Sequence, residues 1–507
     1  MPDETSHGSG APDGLADRIA SYRATREHIE RAMLPLATSV DGVTFEFQAS
    51  LHGLTLQRGC YVMLENDDGA RLGQVTDISS DSARMEMSME GGGASSIVLR
   101  VARGSGLVLD HVGTSFHDAR IRLATSPEVW EVLARTNPDR AGLTIGELFY
   151  APGVPAVLDS GGFNRHTFMC GQSGSGKTYS LGLLLEQVLA ETELRIVILD
   201  PNSDYVGLGR VRPNADPQLA DRYRSVPDQV AVWGDDERAD HPLRLRFAEL
   251  DTEAQAAILG LDPVRDREEY AVLAELLRTS QAGRQLVGLD QLTDSDAPGA
   301  RELVQRATNL GVRDWDIWAG DQPSVLQELE SPTVRCTVID LGSLATADEQ
   351  RLVAQAVLSR LWTLRHTRQP CLVVLDEAHN ICAAEPRDPV GVLSTHRAVQ
   401  IAAEGRKFGL YLLVSTQRPH KVHEGVVSQC DNALLMRINS QADIQDLTSL
   451  FSYVPAGLVA GLSSFRMGQA LAGGKVFPLS GYVRMGDRVS EEGGADIPTD
   501  WARPRAF

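Results

Sequence analysis

The chain has 507 residues, of which 42% are hydrophobic and 23% are charged. This composition is ordinary for a folded protein and excludes a chain that is mostly disordered, and the length corresponds to about two to four domains. The formal net charge of −20 argues against a protein that coats nucleic acid with its outer surface, although it still permits a confined basic channel.

Cysteine usage and hydropathy indicate the compartment. The six cysteines include no C-x-x-C pair, so we expect neither a disulfide framework nor a zinc site, and a reducing cytoplasm fits best. No apolar run approaches the roughly 20 residues needed to cross a bilayer, so we expect no membrane segment. The first residues, "MPDETSHGSGAPDG", lack the features of a signal peptide and predict a flexible tail.

The N-terminal part of the chain predicts a helix followed by a small β-domain. The run "LADRIASYRATREHIERAML" is typical of an amphipathic helix, which completes a tail-and-helix region over 1–39. From 40 to 106, short runs of period near two, such as "TFEFQAS" and "CYVMLEN", alternate with Gly, Asn and Asp. This pattern predicts a small β-barrel or sandwich. Residues 107–160 are predicted to be a connector with a helix in "TSPEVWEVLA".

The rest of the chain has the pattern of an α/β fold. Six apolar runs alternate with helices: "HTFMCG", "RIVILDP", "TVIDLG", "CLVVLDE", "LYLLVSTQ" and "ALLMRI". Continuous apolar strands between helices predict a parallel sheet covered on both faces, here over 161–485. More than a hundred residues after "RIVILDP" show no clear strand, so we expect a helical insertion at about 206–333. Residues 486–507 are predicted to be a C-terminal tail.

A phosphate-binding loop is predicted at "GQSGSGKT", Gly171 to Thr178, which matches the P-loop pattern between an apolar strand and a helix. Glycines there let backbone N–H groups face phosphate oxygens, and the helix dipole adds to the attraction. Lys177 should bridge the β- and γ-phosphates of ATP, and Thr178 should ligate Mg²⁺. The alternative is a chance Gly/Ser-rich turn. The predicted nucleotide-binding residues are Gly171, Gln172, Ser173, Gly174, Ser175, Gly176, Lys177, Thr178 and Tyr179.

The stretch "LDEAHN", Leu375 to Asn380, supplies an acidic pair at the carboxyl end of a buried strand. Asp376 is predicted to hold Mg²⁺, and Glu377 to orient or deprotonate the attacking water. The alternative is that both carboxylates only cap the next helix. His379 is either a sensor of the γ-phosphate or a hydrogen-bonded structural histidine.

A glutamine and three arginines complete the candidate catalytic residues. Gln417, in "VSTQRP", ends an apolar strand where its amide could bind the attacking water, although it could equally begin a turn before Pro419. Arg406, in "AAEGRKFG", is a candidate arginine finger for a neighbouring subunit; as an alternative it only partners a helix dipole. Arg165 is a second candidate, and Arg437 in "LLMRI" is a third and weaker one.

Together these motifs resemble the HerA group of the HerA/FtsK superfamily. The resemblance rests on "RHTFMCGQSGSGKTYSLGLLLE", "VILDPNSDY", "LVVLDEAHN", "AAEGRKFGLYLLVSTQRP" and "VVSQCDNALLMRI", and it covers roughly 40–480. It implies a RecA-like P-loop core behind a small N-terminal β-barrel. The matching positions are Lys177 and Thr178 for Walker A, Asp376 and Glu377 for Walker B, Gln417 for the polar sensor, and Arg406 and Arg165 for arginines near the nucleotide or the subunit interface.

The resemblance also implies a function. HerA proteins are hexameric ATPases that move double-stranded DNA through a central channel, so we expect ATP, Mg²⁺, DNA and five further copies of the chain as partners. A NurA-like nuclease or a sirtuin-like effector would place the motor in DNA end processing or anti-phage defence. Alternatives are a nucleotide-gated scaffold in a defence complex and a conjugation or secretion ATPase.

Two departures from related classes are visible in the sequence. Ala403 stands where the family word "IAREGRK" has a basic residue, which removes any role of that side chain. The letters D-E-A-H do not indicate a DEAH-box RNA helicase, whose acidic motif follows its P-loop by roughly a hundred residues or less. Here the separation from Lys177 to Asp376 is 376 − 177 = 199 residues.

Overall fold

The computed structural model describes residues 13–51, 53–88, 94–110, 113–136, 141–283, 298–320 and 322–494. They form two compact units. The first contains the described residues up to Thr136 together with 150–154 and 455–461, and the second contains the remainder. The predicted flexible tail up to residue 12 and the predicted C-terminal tail beyond residue 494 lie outside the described residues. None of the helices in the described ranges is long and apolar enough to span a membrane.

The first unit is built on a closed six-stranded barrel with the strand order β1-β2-β5-β4-β3-β6. Alternate residues of the second strand, Phe45, Phe47 and Ala49, are buried in its core, as expected for a strand with one solvated face. Helices α1 Asp13–Ala32 and α2 Ser126–Thr136 belong to the same unit. The barrel strands are β1 Leu36–Ser39, β2 Thr44–Ser50, β3 Tyr61–Asn66, β4 Gly69–Ser88, β5 Ala94–Val108 and β6 Phe116–Leu123.

The barrel is larger than the sequence pattern indicated. It begins at Leu36, and β6 falls inside the region predicted as a connector. This strand pairs with both β1 and β3, so the barrel cannot close without it. In its run "FHDARIRL" only Phe116, Ala119 and Ile121 are buried, and four of the five exposed residues are polar. A strand with so few apolar positions has little of the alternation by which strands are predicted.

The second unit contains a twelve-stranded sheet in the order β12-β11-β13-β10-β14-β15-β9-β16-β17-β18-β7-β8. Along the sheet, the neighbouring strands from β12 through β9 to β16 all pair in parallel. The remaining pairs, β16 with β17, β17 with β18, β18 with β7 and β7 with β8, are antiparallel. The predicted parallel sheet is therefore confirmed. The strands are β7 Gly142–Leu148, β8 Pro155–Asp159, β9 His166–Cys170, β10 Arg195–Asp200, β11 Val230–Gly234, β12 His241–Pro242, β13 Cys336–Asp340, β14 Cys371–Leu375, β15 Leu410–Thr416, β16 Cys430–Leu435, β17 Gln469–Gly474 and β18 Gly481–Met485.

Helices accompany this sheet. Every residue of β9, β13 and β14 is buried, which accounts for their mainly apolar sequences. The helices are α3 Lys177–Glu191, α4 Pro217–Arg222, α5 Thr252–Ile258, α6 Arg267–Gly283, α7 Ala300–Asn309, α8 Val325–Glu330, α9 Ala347–Thr363, α10 Pro389–Glu404, α11 Glu424–Val427, α12 Gln441–Leu450 and, within the first unit, α13 Ala456–Ala460.

Two predicted boundaries of the α/β region change. The insertion predicted as helical also contains β11 and β12, and β11 pairs in parallel with β13, so the insertion widens the sheet. Its run "VAVWG" lies among helices, and periodicity alone cannot distinguish a short apolar strand from a buried helical segment. Strands β7 and β8, inside the predicted connector, join the sheet through β18. Residues 284–297 and 321 of the insertion are outside the described ranges.

The sheet brings three of the predicted motifs together. Strand β14 pairs in parallel with β15, and β15 pairs in parallel with β9. "GQSGSGKT" follows β9, "DEAHN" follows β14 and "QRP" follows β15. Because the carboxyl ends of parallel strands lie at one edge of a sheet, the three motifs meet there.

Candidate nucleotide-binding site

The phosphate-binding loop lies between β9 and α3. Gly174 has φ +72° and Gly176 has φ +90°, left-handed conformations that glycine adopts without strain. The loop is held by hydrogen bonds from Ser175 N to Gln172 O and from Gln172 N to Arg437 O, both 3.0 Å. The Gln172 side chain also accepts the backbone N–H of Asn439. The backbone therefore has the turn that directs N–H groups toward a phosphate.

Lys177, the first residue of α3, is buried in a cluster of charges. Its Nζ donates to Asp376 Oδ1 and to Ser415 Oγ, each at 2.9 Å, and lies 3.1 Å from Glu377 Oε1. Burial opposes the charge on the ammonium, but the carboxylates of Asp376 and Glu377 outweigh burial and raise the pKa of Lys177. The lysine is therefore charged at neutral pH and lies where the phosphate-binding loop meets the acidic pair.

Asp376 follows β14 and is fully buried. One of its carboxylate oxygens, Oδ1, accepts from Ser415 Oγ at 2.6 Å. The other, Oδ2, is buried without a hydrogen-bond partner among the described residues. Such an oxygen is costly to leave unpaired and is the kind of ligand that Mg²⁺ or its bound water takes. Asp376 thus fits the predicted magnesium site, for which Thr178 remains the second predicted ligand.

Glu377 has an unusual backbone and two side-chain partners. Its φ is +41°, a left-handed conformation that is strained for a residue with a side chain. Gln417 Nε2 donates to Glu377 Oε1 at 2.8 Å, and His379 Nδ1 lies 3.3 Å from Glu377 Oε2. The carboxylate is 5% exposed, so these neighbours hold it in one orientation beside Lys177.

His379 is half-buried behind Glu377. Its Nδ1 also lies 3.2 Å from Thr416 Oγ1. Burial lowers the pKa of His379, and the positive charge of Arg418 adds to this effect against the opposing effect of Glu377. A neutral imidazole between Thr416 and Glu377 corresponds to the hydrogen-bonded alternative of the two roles predicted for this residue.

The segment after β10 places further carboxylates beside Asp376. Asp200 accepts the backbone N–H groups of Asp204 and Tyr205 at 3.0 and 2.8 Å. Burial, with a contribution from Asp376, raises the pKa of Asp200 to about 8 and that of Asp204 to about 6. Carboxylate oxygens of Asp200, Asp204 and Asp376 lie within 4.8 Å of one another. Three carboxyl groups are therefore concentrated at this edge of the sheet, and burial favours the neutral form of Asp200.

The structure does not bring the two leading arginine candidates to the P-loop of the same chain. Arg406 Nη1 donates to Asp431 Oδ2 at 2.7 Å, and Arg165 Nε lies 3.8 Å from the same oxygen. Arg165 immediately precedes β9 and Arg406 lies just before β15, so both lie at the amino ends of these strands. That edge of the sheet is opposite the edge that carries the P-loop.

The weakest arginine candidate is the one beside the P-loop. Arg437 follows β16 and donates from Nη2 to Gly174 O at 3.2 Å. Tyr179, predicted to contact nucleotide, directs its hydroxyl elsewhere: it accepts the backbone N–H of Arg488 at 2.8 Å. Ser415 was missing from the predicted site, and its only sequence signal was a hydroxyl at the carboxyl end of "LYLLVS".

A P-loop after one parallel strand, with an acidic pair and a glutamine after its neighbours, defines the chain as a P-loop ATPase. The family described as "Helicase HerA, central domain" matches residues 143–310. The DNA double-strand break repair helicase HerA of Sulfolobus acidocaldarius is 25% identical over 402 residues, which cover 76% of this chain and 77% of that protein. The chain is therefore similar to HerA helicases over about three quarters of its length.

Two further comparisons have lower identity. The DNA double-strand break repair helicase HerA of Saccharolobus solfataricus is 21% identical over 462 residues, which cover 84% of this chain and 87% of that protein. Among solved structures, VirB4 of Thermoanaerobacter pseudethanolicus is similar over 69% of this chain and 97% of its own, with 16% identity and a TM-score of 0.47.

Proposed function

We propose that the chain is an ATP-driven motor that moves or unwinds double-stranded DNA. The observation that carries the proposal is the position of Glu377, which is oriented by Gln417 and lies 3.1 Å from the P-loop lysine. A carboxylate fixed beside a phosphate-binding loop can take the proton of an attacking water. This arrangement favours hydrolysis of ATP over passive binding, and therefore a motor over a nucleotide-gated scaffold.

Each residue of the site has a role in this proposal. The loop N–H groups and Lys177 bind the phosphates, Thr178 and Asp376 hold Mg²⁺, and Glu377 activates water. Mg²⁺, when bound, neutralises charge that develops on the phosphates. Gln417 positions Glu377, and Ser415 fixes Asp376 and Lys177 relative to each other.

DNA as the substrate is supported by the relatives, which are named as DNA double-strand break repair helicases. For this chain we propose contacts mainly with DNA phosphates, because such contacts hold a duplex without reading its sequence. Binding should then weaken as salt concentration rises. The net charge of −20 confines these contacts to a small part of the surface.

A ring of copies is supported by the position of the arginines. Arg406 and Arg165 lie at the edge of the sheet opposite the P-loop, so they can complete an ATP site only on another copy. Head-to-tail contacts that close generate a ring, and we propose six copies because the sequence resembles HerA. An arginine supplied in this way stabilises charge in the transition state of phosphoryl transfer.

The setting of the motor is proposed from the family. We propose a cytoplasmic motor that serves a NurA-like nuclease in DNA end processing, or a sirtuin-like effector in anti-phage defence. The remaining alternative is a conjugation or secretion ATPase. Co-purification of the tagged protein with its natural partner separates these settings, because a nuclease, an NAD-consuming enzyme and a membrane channel have different activities.

The motor function is tested with Glu377→Gln. We expect the natural protein to hydrolyse ATP faster when blunt duplex DNA is added and to displace a triplex-forming strand from that duplex. Glu377→Gln should still bind a fluorescent ATP analogue but should hydrolyse ATP about 100-fold more slowly, because it lacks the base.

Glu237→Gln is the matched control, since Glu237 is exposed and lies outside the site. Turnover that survives in Glu377→Gln would contradict the role of Glu377. Hydrolysis that does not respond to DNA, with no strand displacement, would contradict the DNA motor while leaving the ATPase in place.

A further inference from the structure

The last described residues of the chain, 486–494, cross the helix that begins at the P-loop lysine. We call them the C-terminal strap. Glu186 of α3 is 1% exposed and accepts two backbone N–H groups of the strap, from Val489 at 2.8 Å and from Ser490 at 2.6 Å. Both oxygens of a buried carboxylate are thus used to hold the strap, and hydrogen bonds to a charged acceptor are among the stronger ones.

Arg488 supplies the positive charge that Glu186 requires. Its guanidinium is fully buried, with Nε 3.6 Å from Glu186 Oε1. It also donates within the strap, from Nε to Ser490 Oγ at 3.0 Å and from Nη2 to Glu491 O at 2.8 Å. Desolvation offsets much of the attraction within a buried charge pair, so the pair itself is weak evidence for added stability.

The position of Arg488 explains why residue 182 of α3 is a glycine. A Cβ at Gly182 would lie 2.4 Å from Arg488 Cζ and 2.5 Å from Nε, so any side chain there would collide with the guanidinium. Glycine in a helix interior lowers helix stability relative to alanine. Glycine at position 182 therefore leaves room for the guanidinium, at a position where alanine would otherwise stabilise the helix.

The contacts of the strap define one face of α3. Tyr179 accepts the backbone N–H of Arg488 at 2.8 Å, so Tyr179, Gly182 and Glu186 all face the strap. Their spacing of three and four residues places them on one side of a helix. The first of these residues is two positions after Lys177, so the strap holds the helix close to the phosphate-binding loop.

The strap also holds the segment that follows β10. Gly493 N donates to Asp204 O at 3.1 Å, Glu491 N donates to Arg210 O at 2.8 Å, and Arg212 N donates to Val489 O at 2.9 Å. Asp204 is one of the carboxylates beside Asp376. The strap thus connects the P-loop helix to the acidic edge of the ATP site, although it contacts neither the loop nor Asp376.

We propose that the strap sets the position of α3 relative to the acidic edge, and that Arg488 is the positioning residue through which it controls affinity for ATP. The proposal rests on the ATP chemistry proposed above. Displacement of α3 moves Lys177 and the loop N–H groups together, and these groups contribute to binding of ATP before hydrolysis. Loss of Arg488 therefore changes KM for ATP more than kcat.

The test compares three variants in the full-length protein. Arg488→Met removes the guanidinium, and Gly182→Ala adds a methyl group where the guanidinium lies. We expect each to raise KM for ATP and Kd for a fluorescent ATP analogue about tenfold, with kcat of the folded protein within about twofold. Arg488→Lys should restore most of the affinity. Arg210→Met is the control, since Arg210 forms an exposed ion pair with Glu491 of the strap at 3.4 Å.

Thermal stability gives an independent readout. Gly182→Ala should lower Tm if Arg488 packs there, whereas an unobstructed helix would be stabilised by alanine. If Arg488→Met does not fold, Gly182→Ala and Arg488→Lys carry the comparison. Unchanged KM and Kd in the folded variants, or an equal change in Arg210→Met, would overturn the proposal. If the natural protein binds ATP without hydrolysing it, the proposed motor function is wrong. The Kd values of the variants still test whether the strap controls affinity for ATP.

Discussion

Gln417 and Glu377 come from the ends of two neighbouring strands, and the amide nitrogen of Gln417 donates to the carboxylate of Glu377 at 2.8 Å. The strands β15 and β14 pair in parallel, with Val414 beside Leu375. Glu377 has φ +41°, a conformation that a non-glycine residue keeps only when its surroundings hold it. The glutamine is therefore one of the groups that keep a strained acid in a single orientation.

Removal of this contact should slow hydrolysis without weakening ATP binding. We expect Gln417→Ala to lower kcat about tenfold or more while KM for ATP stays the same, because the lost interaction orients the base and does not bind the phosphates. Steady-state ATPase kinetics measure both constants. Gln305→Ala, an exposed glutamine on α7, is the control. A raised KM with an unchanged kcat would instead place Gln417 in nucleotide binding.

Arg406 should act on the ATP site of another copy. Because it lies at the edge opposite its own P-loop, Arg406→Ala subunits mixed with natural subunits should inhibit more than in proportion to their fraction. The measurement is ATPase activity against mixing ratio, with Arg135→Ala as an exposed control. Activity that falls in a straight line with the fraction of Arg406→Ala would remove the support for a finger in trans.

His166 should make stability depend on pH. It is fully buried on β9, its Nε2 donates to Ala402 O at 2.9 Å and its Nδ1 accepts from Leu412 N at 2.8 Å. This pattern requires a neutral ring, and burial lowers the pKa of His166 from 6.5 to about 4. Below pH 6.5 His166 binds a proton in the unfolded chain but stays neutral in the folded chain. The free energy of unfolding that His166 contributes above pH 6.5 is therefore lost as pH falls toward 4.

The size of this effect can be measured by urea unfolding. Between pH 7 and pH 5 the natural protein should lose about 2 kcal/mol more free energy of unfolding than His166→Gln, which cannot bind the proton. His117→Gln is the control, because His117 is 86% exposed. Equal losses in the natural protein and in His166→Gln would show that His166 is not the responsible group.

The sequence predicted those parts of the fold and site that are encoded locally. The P-loop and "LDEAHN" are contiguous, and the buried parallel strand β14 is apolar at every position. Strand β6 escaped prediction because half of its residues are polar and exposed, and β11 because a short apolar run among helices resembles a buried helical segment.

Contacts between distant segments leave no local pattern in the sequence. Ser415 reaches Lys177 from 238 residues away, and the strap reaches Glu186 from more than 300 residues away. A glycine inside α3 was visible in "YSLGLLLEQ", but its reason lies in Arg488. The same holds for Arg437, which only the pairing of β16 with β9 brings to the loop.

The place of β9 in the sheet has a consequence for how the protein is made. Its two neighbours, β15 and β16, are both far downstream, and β15 begins 410 − 170 = 240 residues after β9 ends. At ordinary rates of translation the ribosome needs roughly ten to fifty seconds to cover that interval. During this time an apolar strand has both edges unpaired, which is the condition in which strands of different chains associate. We therefore expect the nascent chain to be most prone to association with other chains between the synthesis of α3 and that of β15.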